Sequence, residues 1–302
     1  MKLMHDIEND LAFTIPPEGG PDSQQLFRAM TERSLSLLEV KSTDHVVDLA
    51  CGMGQDAQVI ASTMAATYHL EASRPTHLQS NALQSVKPQP LGMALAVEPS
   101  ERMIRFAQQQ RRLTVSEKSQ EIPTPPNSPD SAGKVFFLRA LGEELPFSTA
   151  SVDAVLCKGS LDHFMEPALT LEEIARVLRP GGRVVISLAN YDSLSCRLGA
   201  MGDRVKRWLK NDFQPDPHPY YQPPPDHLTR FGYRSIRALP SGSLRLRRLE
   251  GLSLLWGFPP WGRLLAWLPD GMSAGLIKMG FLLAAWIPAW SDVIVIQAIK
   301  EG

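Results

Sequence analysis

The residues with the clearest chemical potential lie in one short stretch, VVDLACGMGQDA, from Val46 to Ala57. Strand-forming residues lead there into a glycine turn, and a helical pattern follows. Gly52 and Gly54 allow a positive φ and a close approach of the backbone to a ligand, and the first N–H groups of the helix have no partner inside it. Asp48, just before the turn, favours a ligand that carries positive charge. The stretch therefore predicts a ligand-binding turn at the end of a strand.

The glycine turn also fits another kind of site, because GMGQDA matches the GxGxxA variant of the dinucleotide fingerprint. The carboxylate of Asp48 argues against a diphosphate there. In that fingerprint the next acidic strand end follows after roughly 20 residues, but Glu98 follows after about twice that distance. The polar stretch at 68–90 could account for the longer spacing. None of the five tyrosines is followed by Lys in the YxxxK spacing of a hydride-transfer enzyme. A nicotinamide-dependent oxidoreductase is therefore the weaker alternative.

A second carboxylate, Glu98, ends the next strand-like run and is followed by Pro99, Ser100 and Glu101, which predict a helix start. A carboxylate at this place can accept hydrogen bonds from both hydroxyls of a ribose. The alternative is a negative charge that only stabilises the N-terminus of the helix. The residues alone leave both interpretations open.

Two histidines have suitable chemistry for a general base. His163 follows the strand-like run at 152–157 and has Asp162 beside it. It could equally cap the next helix or pack on a ligand. His227 follows a proline-rich segment, where a lone histidine is more often structural.

Net charge, cysteine spacing and the first residues argue against electrostatic attraction to nucleic acid or an anionic membrane, against a metal site and against a signal peptide. The chain has 302 residues, of which 43% are hydrophobic and 21% charged, with a net charge of -1, so no overall field draws it to nucleic acid or to an anionic membrane. The three cysteines, Cys51, Cys157 and Cys196, have neither CxxC nor metal-ligand spacing, so we expect no metal site and a cytoplasmic protein with reduced thiols. The first ten residues contain three acids and no apolar run, so no signal peptide is expected.

Strand-like runs and helical patterns alternate over the first two thirds of the chain. The predicted strands cover 45–50, 94–98, 134–139, 152–157 and 183–189, and the predicted helices cover 23–40, 55–66, 100–113 and 167–180. This alternation predicts a parallel sheet with helices on both faces. A helix at 233–239, strands at 244–255 and 293–299, and an apolar stretch with five of the six tryptophans follow.

Proline clusters and polar stretches predict the joints between parts of the chain. The prolines cluster at 15–21, 121–133 and 214–226, and a polar stretch without periodicity covers 68–90. We expect a lead-in and helix at 1–42, a core at 43–190 with insertions at 67–92 and 114–133, a substrate cap at 191–226, and the remainder of the same fold at 227–302.

Four motifs in order carry a family resemblance: DLACGMG, AVEPSERMIRFA, ALGEELPFSTASVDAVLCKGSLDHF and ALTLEEIARVLRPGGRVVIS. Together they are similar to class I S-adenosylmethionine-dependent methyltransferases, above all the ubiquinone- and menaquinone-biosynthesis type. The resemblance covers about residues 26–190. It implies a Rossmann-like, doubly wound α/β fold in three layers, with a seven-stranded sheet that is parallel except for its antiparallel last strand.

The resemblance also implies roles for single residues. The amino-acid end and the sulfonium of the cofactor would lie against Asp48 and the turn Ala50, Cys51, Gly52 and Gly54, and its ribose against Glu98 and Pro99. Relatives place an Asp near the adenine amino group; Leu141 stands at that position here, so adenine would rely on the backbone of Leu141 and Gly142, on packing from Met103, and on Glu143 as a substitute. The floor of the site would run from Lys158 and Gly159 to His163.

The implied activity is methyl transfer to a small molecule, with lipophilic acceptors among the alternatives. A carbon or phenol nucleophile usually needs a base, a role assigned to His163 with Asp162. The expected acceptor contacts are Phe213, Tyr220, Tyr221 and His227. A non-catalytic binding module with the same fold is the main alternative, supported only by Leu141.

Among large partners, the sequence leaves room only for contact with a membrane surface. The neutral chain lacks interleaved basic and aromatic residues, so nucleic acid is not an expected partner. The longest uncharged part of the tryptophan-rich stretch, 279–290, is too short for the roughly 20 residues of a membrane span. That stretch could instead pack on the sheet, or contact a lipophilic substrate or a membrane surface.

Overall fold

The computed structural model describes residues 21–72, 92–116, 135–210 and 212–302. Its strands are β1 (His45–Leu49), β2 (Met93–Val97), β3 (Val135–Leu138), β4 (Val152–Lys158), β5 (Leu178–Ala189), β6 (Leu244–Leu252) and β7 (Val293–Lys300). Its helices are α1 (Pro21–Leu38), α2 (Gln55–Ala72), α3 (Glu101–Ser116), α4 (Pro167–Val177), α5 (Leu194–Leu209), α6 (Tyr233–Ala238), α7 (Pro259–Trp267) and α8 (Asp270–Trp286). Short 3-10 turns cover Leu161–His163 and Pro288–Trp290.

The seven strands form one sheet in the order β3-β2-β1-β4-β5-β7-β6. β7 lies antiparallel between β5 and β6, and the pairs among β1 to β5 are parallel. The predicted Rossmann-like fold is confirmed, including its antiparallel last strand. The order reverses between β1 and β4, and ligands of such sheets bind beyond the carboxyl ends of the strands at this point.

Alternating strand residues divide the core into two layers, one on each face of the sheet. Val47 and Val155 belong to the cluster that α4 covers, and Val46 and Ala154 belong to the cluster beneath α1 and α2. Because both faces are covered, the central strands are apolar on both sides. This burial explains why the strand-like runs were recognisable without strict alternation.

α1 lies across the face of the sheet and reaches several strands. Leu26, Leu37 and Leu38 are buried in the core beneath it. Gln297 of β7 donates to the carbonyl of Leu37 at 2.6 Å, and Arg33 pairs through Nη2 with Glu250 of β6 at 2.7 Å. The lead-in helix is thus tied to the strands farthest from it in sequence.

The clearest difference from the predicted elements lies between α4 and β5. The helix was predicted to run to Pro180 and the strand to begin at Arg183, but α4 ends at Val177 and β5 begins at Leu178. Leu178 already pairs with Val152, and the register then shifts before Arg183 lies opposite Ala154. The proline-glycine segment therefore interrupts the strand rather than separating it from the helix.

The predicted insertions lie mostly outside the described residues. α2 continues to Ala72 and so includes the first part of the 67–92 insertion, and α3 includes the start of the 114–133 insertion. Residues 73–91 and 117–134, and residues 1–20 of the lead-in, are not described. The tryptophan-rich stretch forms α7 and α8, and no helix among the described residues is long and apolar enough to cross a bilayer.

Candidate functional site

The turn between β1 and α2 has a backbone that only small residues tolerate well. Gly52 and Gly54 have φ of 53° and 73°, and Ala50 also has a positive φ of 55°. A Cβ on Gly54 would lie 2.7 Å from the ring of Phe137. The N–H of Cys51 donates to the carbonyl of Val97 at 3.1 Å, which joins the turn to the end of β2.

Asp48 precedes the turn and holds the start of α2 through a hydrogen bond to its backbone. Its carboxylate is 3% exposed and accepts a hydrogen bond from the N–H of Ala57 at 2.9 Å. Burial raises the pKa of Asp48 well above its usual range, and the nearby charge of Asp56 raises it further, while Lys158 and the Ala57 N–H act in the opposite direction. The buried acid therefore sits in a field that favours a positive neighbour.

Glu98 links the end of β2 to the same turn. Its side chain is 3% exposed, and its two oxygens accept hydrogen bonds from Gly52 N–H at 3.0 Å and from Ser100 N–H at 3.1 Å. Glu98 therefore ties the end of β2 to the glycine turn.

Lys158 crosses the site from the end of β4. Its ammonium lies 2.6 Å from Asp56 Oδ2 and donates to Thr31 Oγ1 of α1 at 2.7 Å. Among the described residues, the charged groups that act on Asp48 are two acids, Asp56 and Glu98, and one ammonium, that of Lys158. Acidic groups outnumber basic ones at this part of the turn.

The residues predicted to lie near adenine are engaged with their surroundings. Leu141 bridges to Glu144, and Gly142 lies so close to Phe164 that a Cβ there would approach its ring at 3.0 Å. Oε1 of Glu143 accepts a hydrogen bond from the N–H of Glu166 at 3.2 Å, at the start of α4. The predicted substitute for the missing Asp is thus directed at the backbone of a helix start.

Other predicted cofactor residues have structural partners as well. Met103 is fully buried, and its N–H donates to Ser100 Oγ. The carbonyl of Pro99 accepts a hydrogen bond from Arg139 at 2.9 Å. Gly159 has a φ of 63° and lies against Met30 of α1. These contacts shape the walls on either side of the turn.

The two predicted base candidates meet in one cluster beyond β4. Nδ1 of His227 lies 2.8 Å from Oδ2 of Asp162, whose carboxylate is 3% exposed. The ring of His163 lies with its centroid 4.4 Å from that of His227, and its Nδ1 lies 3.2 Å from the carbonyl of Asp226. Asp162 was predicted as the partner of His163, but its carboxylate contacts His227 instead. The two rings point their polar atoms at different acids.

Electrostatics in this cluster favour positive charge on His227. Burial alone would lower the pKa of His227, but the hydrogen bond and charge of Asp162, with the charge of Asp226, raise it above its ordinary value. The hydroxyl of Tyr191 lies 3.2 Å from Nδ1 of His227, and burial next to Asp162 raises the pKa of Tyr191. Tyr191 is therefore held as a neutral phenol.

The predicted acceptor residues of the cap lie against α5. Tyr220 Oη donates to the carbonyl of Ser195 at 3.0 Å, and Tyr221 Oη donates to Asp203 at 2.8 Å. The ring of Phe213 lies 5.2 Å from Nζ of Lys206. These contacts fasten the cap segment to its helix, and only His227 of the predicted acceptor residues joins the histidine cluster.

The cysteines near the site are poor nucleophiles. Burial raises the pKa of Cys157 to about 12, and burial next to Asp48 raises that of Cys51 as well. All three cysteines are free. Their surroundings fit packing rather than thiolate chemistry.

Sequence reasoning missed three residues of the site. Asp56 stands in the first turn of α2, directly after the glycine turn, so its position was a usable signal. Tyr191 and Asp226 reach the histidine cluster from segments that no motif marks. Asp226 directly precedes His227 in the sequence, whereas the fold brings Tyr191 beside it.

The chain matches the model of a methyltransferase domain over residues 79–186. The matched part includes Glu98, Lys158 and His163 and begins after the glycine turn. An uncharacterised 37.1 kDa protein in a transposon of Streptomyces fradiae is 26% identical over 163 residues, which is 53% of this chain and 34% of that protein.

Named methyltransferases are also among the relatives. An O-methyltransferase of Aspergillus sclerotiorum is 26% identical over 171 residues, 55% of this chain and 49% of its own length. A demethylmenaquinone methyltransferase of Clavibacter sepedonicus is 45% identical over 53 residues, 18% of this chain and 22% of its own length. The matched stretches thus span less than half of each of these relatives.

The fold has a solved counterpart in the PH0226 protein of Pyrococcus horikoshii, with a TM-score of 0.50 at 15% identity over 97% of this chain and 100% of that one. This likeness shows the fold alone. The matched domain and the methyltransferase relatives support the resemblance that the motifs carry, which is to class I S-adenosylmethionine-dependent methyltransferases.

Proposed function

We propose that this protein transfers the methyl group of S-adenosylmethionine to a small acceptor molecule. The observation that carries the proposal is the grouping of three acidic side chains, Asp48, Asp56 and Glu98, at the glycine turn, with Lys158 2.6 Å from Asp56 among the described residues. A sulfonium and an ammonium are stabilised in such a field, whereas a diphosphate would be repelled. The same grouping disfavours the nicotinamide alternative.

The residues around the turn fit the cofactor in detail. Glu98 accepts from the Gly52 N–H and so places beside the turn a carboxylate, a group that can accept ribose hydroxyls. Asp56 supplies negative charge beside the turn, next to the buried acid Asp48, and Leu141 and Gly142 offer backbone and apolar surface for adenine. Lys158 is the group that could pair with the cofactor's carboxylate after a change of partner.

The cofactor would supply an electrophilic methyl group, so this chain mainly has to align two reactants and exclude water. In the transfer, an acceptor lone pair forms the bond to the methyl carbon while the carbon–sulfur bond breaks and its electrons pass to sulfur. Asp162, His163 and His227 follow β4 at the carboxyl edge of the sheet. An acceptor there would lose its proton next to these side chains.

The acceptor is proposed to be small and lipophilic, and the protein to work in the cytoplasm. The names of the relatives support the first part, since they include a demethylmenaquinone methyltransferase and an O-methyltransferase. Trp267 and Trp286, which are 81% and 86% exposed, support contact with apolar material or a membrane surface. The free cysteines support a reducing compartment.

Calorimetric titration tests the cofactor half of this proposal. Wild-type protein should bind S-adenosylmethionine and S-adenosylhomocysteine and not NADH. Glu98→Gln should weaken binding of S-adenosylmethionine by about 10- to 100-fold, since a hydrogen bond to a charged group contributes about 1.5–3 kcal/mol. Glu101→Gln is the matched control, because Glu101 is a neighbouring, half-exposed glutamate that pairs with Arg139 on the surface.

Two results would contradict the proposal. Equal weakening in Glu98→Gln and Glu101→Gln would show that Glu98 has no special role. No binding of the sulfonium cofactor by folded wild-type protein would favour the non-catalytic module, with Leu141 as its explanation. Circular dichroism of each variant separates lost binding from lost folding.

A further inference from the structure

The cluster beyond β4 brings together three potential metal ligands, one carboxylate and two imidazoles. Asp162, His163 and His227 each offer one ligand atom, and these atoms all lie within 4.8 Å of one another. From this geometry we infer a binding site for a divalent first-row transition-metal ion at Asp162, His163 and His227. The inference rests on the proposed methyl transfer only for its use in catalysis, and the metal site itself can be tested alone.

The distances between the ligand atoms are close to those between ligands of one bound metal ion. Two ligands bound at about 2.0–2.2 Å from one ion lie about 3–3.5 Å apart. The 2.8 Å between His227 Nδ1 and Asp162 Oδ2 is close to that range. The ring of His163, at 38% exposure the most accessible of the three, has room to turn toward the other two. A modest rotation of one side chain would complete the set.

A buried oxygen without a donor is the second observation. Oδ1 of Asp162 is buried and has no hydrogen-bond partner among the described residues, although the residue is only 3% exposed. Such an acceptor destabilises the fold, because it has lost its hydration without gaining a partner. A cation bound to this carboxylate would satisfy the lone pairs that His227 does not reach.

The charges around the cluster also call for a cation. Besides Asp162, the carboxylate of Asp226 lies 3.6 Å from Nδ1 of His163. The guanidinium of Arg230 contacts the ring of Tyr191 and pairs with Asp192 rather than with Asp162 or Asp226 in the ion pairs of the described residues. The two carboxylates, Asp162 and Asp226, thus bring negative charge to both imidazoles, and a divalent ion bound between them can balance it.

The mixture of ligands selects the kind of metal. Imidazole nitrogen suits Zn²⁺, Fe²⁺, Co²⁺ and Ni²⁺, and with carboxylates also Mn²⁺, whereas Mg²⁺ and Ca²⁺ prefer oxygen alone. Three ligands from the chain leave coordination positions open. An acceptor with a hydroxyl group could use them, and its acidity would rise so that its proton passes to water before the oxygen attacks the methyl group.

The cluster was not visible in the sequence. His163 and His227 come from different segments, and no motif joins them. The fold connects the segments, since the N–H of Thr229 donates to the carbonyl of Asp162 at 3.1 Å. The expectation of no metal site rested on cysteine spacing, and cysteines play no part here.

Calorimetric titration of chelator-treated full-length protein with ZnCl₂ and MnCl₂ tests the site. We expect one ion per chain and much weaker binding of MgCl₂. His163→Ala and His227→Ala should each weaken binding by about 100-fold, since each removes a direct ligand. His218→Ala, at an exposed histidine of the cap, should leave binding unchanged. The absorption spectrum of Co²⁺-loaded protein should change in both cluster variants.

The outcomes are separable from those of the cofactor test. Absence of saturable metal binding, or binding that His163→Ala and His227→Ala leave intact, would overturn the site. Sulfonium cofactor binding without metal binding would leave the proposed function standing and assign the cluster to proton transfer. Metal binding without cofactor binding would keep the site and remove the function. Asp162→Asn, which preserves the shape and one oxygen, guards against misfolding of the other variants.

Discussion

The glycine turn and the histidine cluster lie at the same edge of the sheet but are built in different ways. The turn is made by consecutive residues whose backbone is fixed by Gly54 above Phe137 and by the Glu98 hydrogen bond to Gly52. The cluster joins Asp162 to His227 across a long excursion of the chain. The first is determined by local sequence, and the second depends on how separate segments dock. The glycine turn can therefore be recognised from a motif, whereas the histidine cluster cannot.

The largest expected effect comes from the buried acid Asp292, which contrasts with Asp162 of the histidine cluster. Asp292 accepts hydrogen bonds from Ser195 at 2.6 Å and from the Trp256 N–H at 2.9 Å, while one oxygen of Asp162 has no partner among the described residues. Burial raises the pKa of Asp292 from 3.8 to about 7. The folded state therefore holds a proton that the unfolded state has lost, and the free energy of unfolding should fall as pH rises from about 4 to 7, by a few kcal/mol.

Denaturant unfolding across that pH range checks this effect. Asp292→Asn should flatten the profile and should leave cofactor and metal binding unchanged, because Asp292 serves the fold. If the variant keeps the wild-type slope, another group causes the pH dependence. If it loses metal binding, the distinction between a structural acid and a ligand acid is wrong.

Gly54→Ala should strongly disturb the turn. The added Cβ would meet Phe137 and sit at a φ of 73°, so the free energy of unfolding should fall by about 2 kcal/mol and cofactor affinity by more. Gly202→Ala, in the interior of α5 with open space around it, should instead stabilise by up to about 1 kcal/mol. Calorimetry and thermal melts compare the pair. Equal stability in both variants would show that the turn does not depend on its glycine.

Lys158→Ala should have an intermediate effect. It leaves Asp56, whose side chain is 14% exposed, without its ammonium partner, so the free energy of unfolding should fall by about 1–2 kcal/mol. Removal of the exposed pair partner in Arg245→Ala should cost less than about 0.5 kcal/mol. Chemical unfolding at fixed pH measures both. A larger loss in Arg245→Ala would mean that the ion pair of the site contributes nothing special.

Tyr191→Phe should have the smallest effect. The change removes a hydroxyl 3.2 Å from His227 Nδ1 and keeps the ring, so stability should change by less than about 1 kcal/mol. Metal affinity should fall by no more than about tenfold, because Tyr191 orients a ligand and is not one. Titration of the variant with ZnCl₂ decides this. A loss as large as that of His227→Ala would make the phenol a direct ligand.

The sequence predicted most of the sheet and little of the acceptor side. β1, β4 and β7 were placed within a residue or two, since buried parallel strands are continuous apolar runs. The start of β5 was missed because Pro180 and Gly181 normally end structure, yet Leu178 pairs with Val152 before them. The partner of Asp162 was also missed, because adjacency in sequence suggested His163.

α1 carries a cost in how the chain reaches its folded state. Trp256 donates to Ser23 over a separation of 233 residues, and Gln297 bonds to Leu37 over 260. Contacts of such high order form late, because a long loop must close before they stabilise anything. A growing chain therefore makes α1 early and exposes Leu26, Leu37 and Leu38 until β7 enters the sheet. During synthesis, the exposed apolar side chains of α1 are therefore open to non-native contacts and aggregation until the core closes.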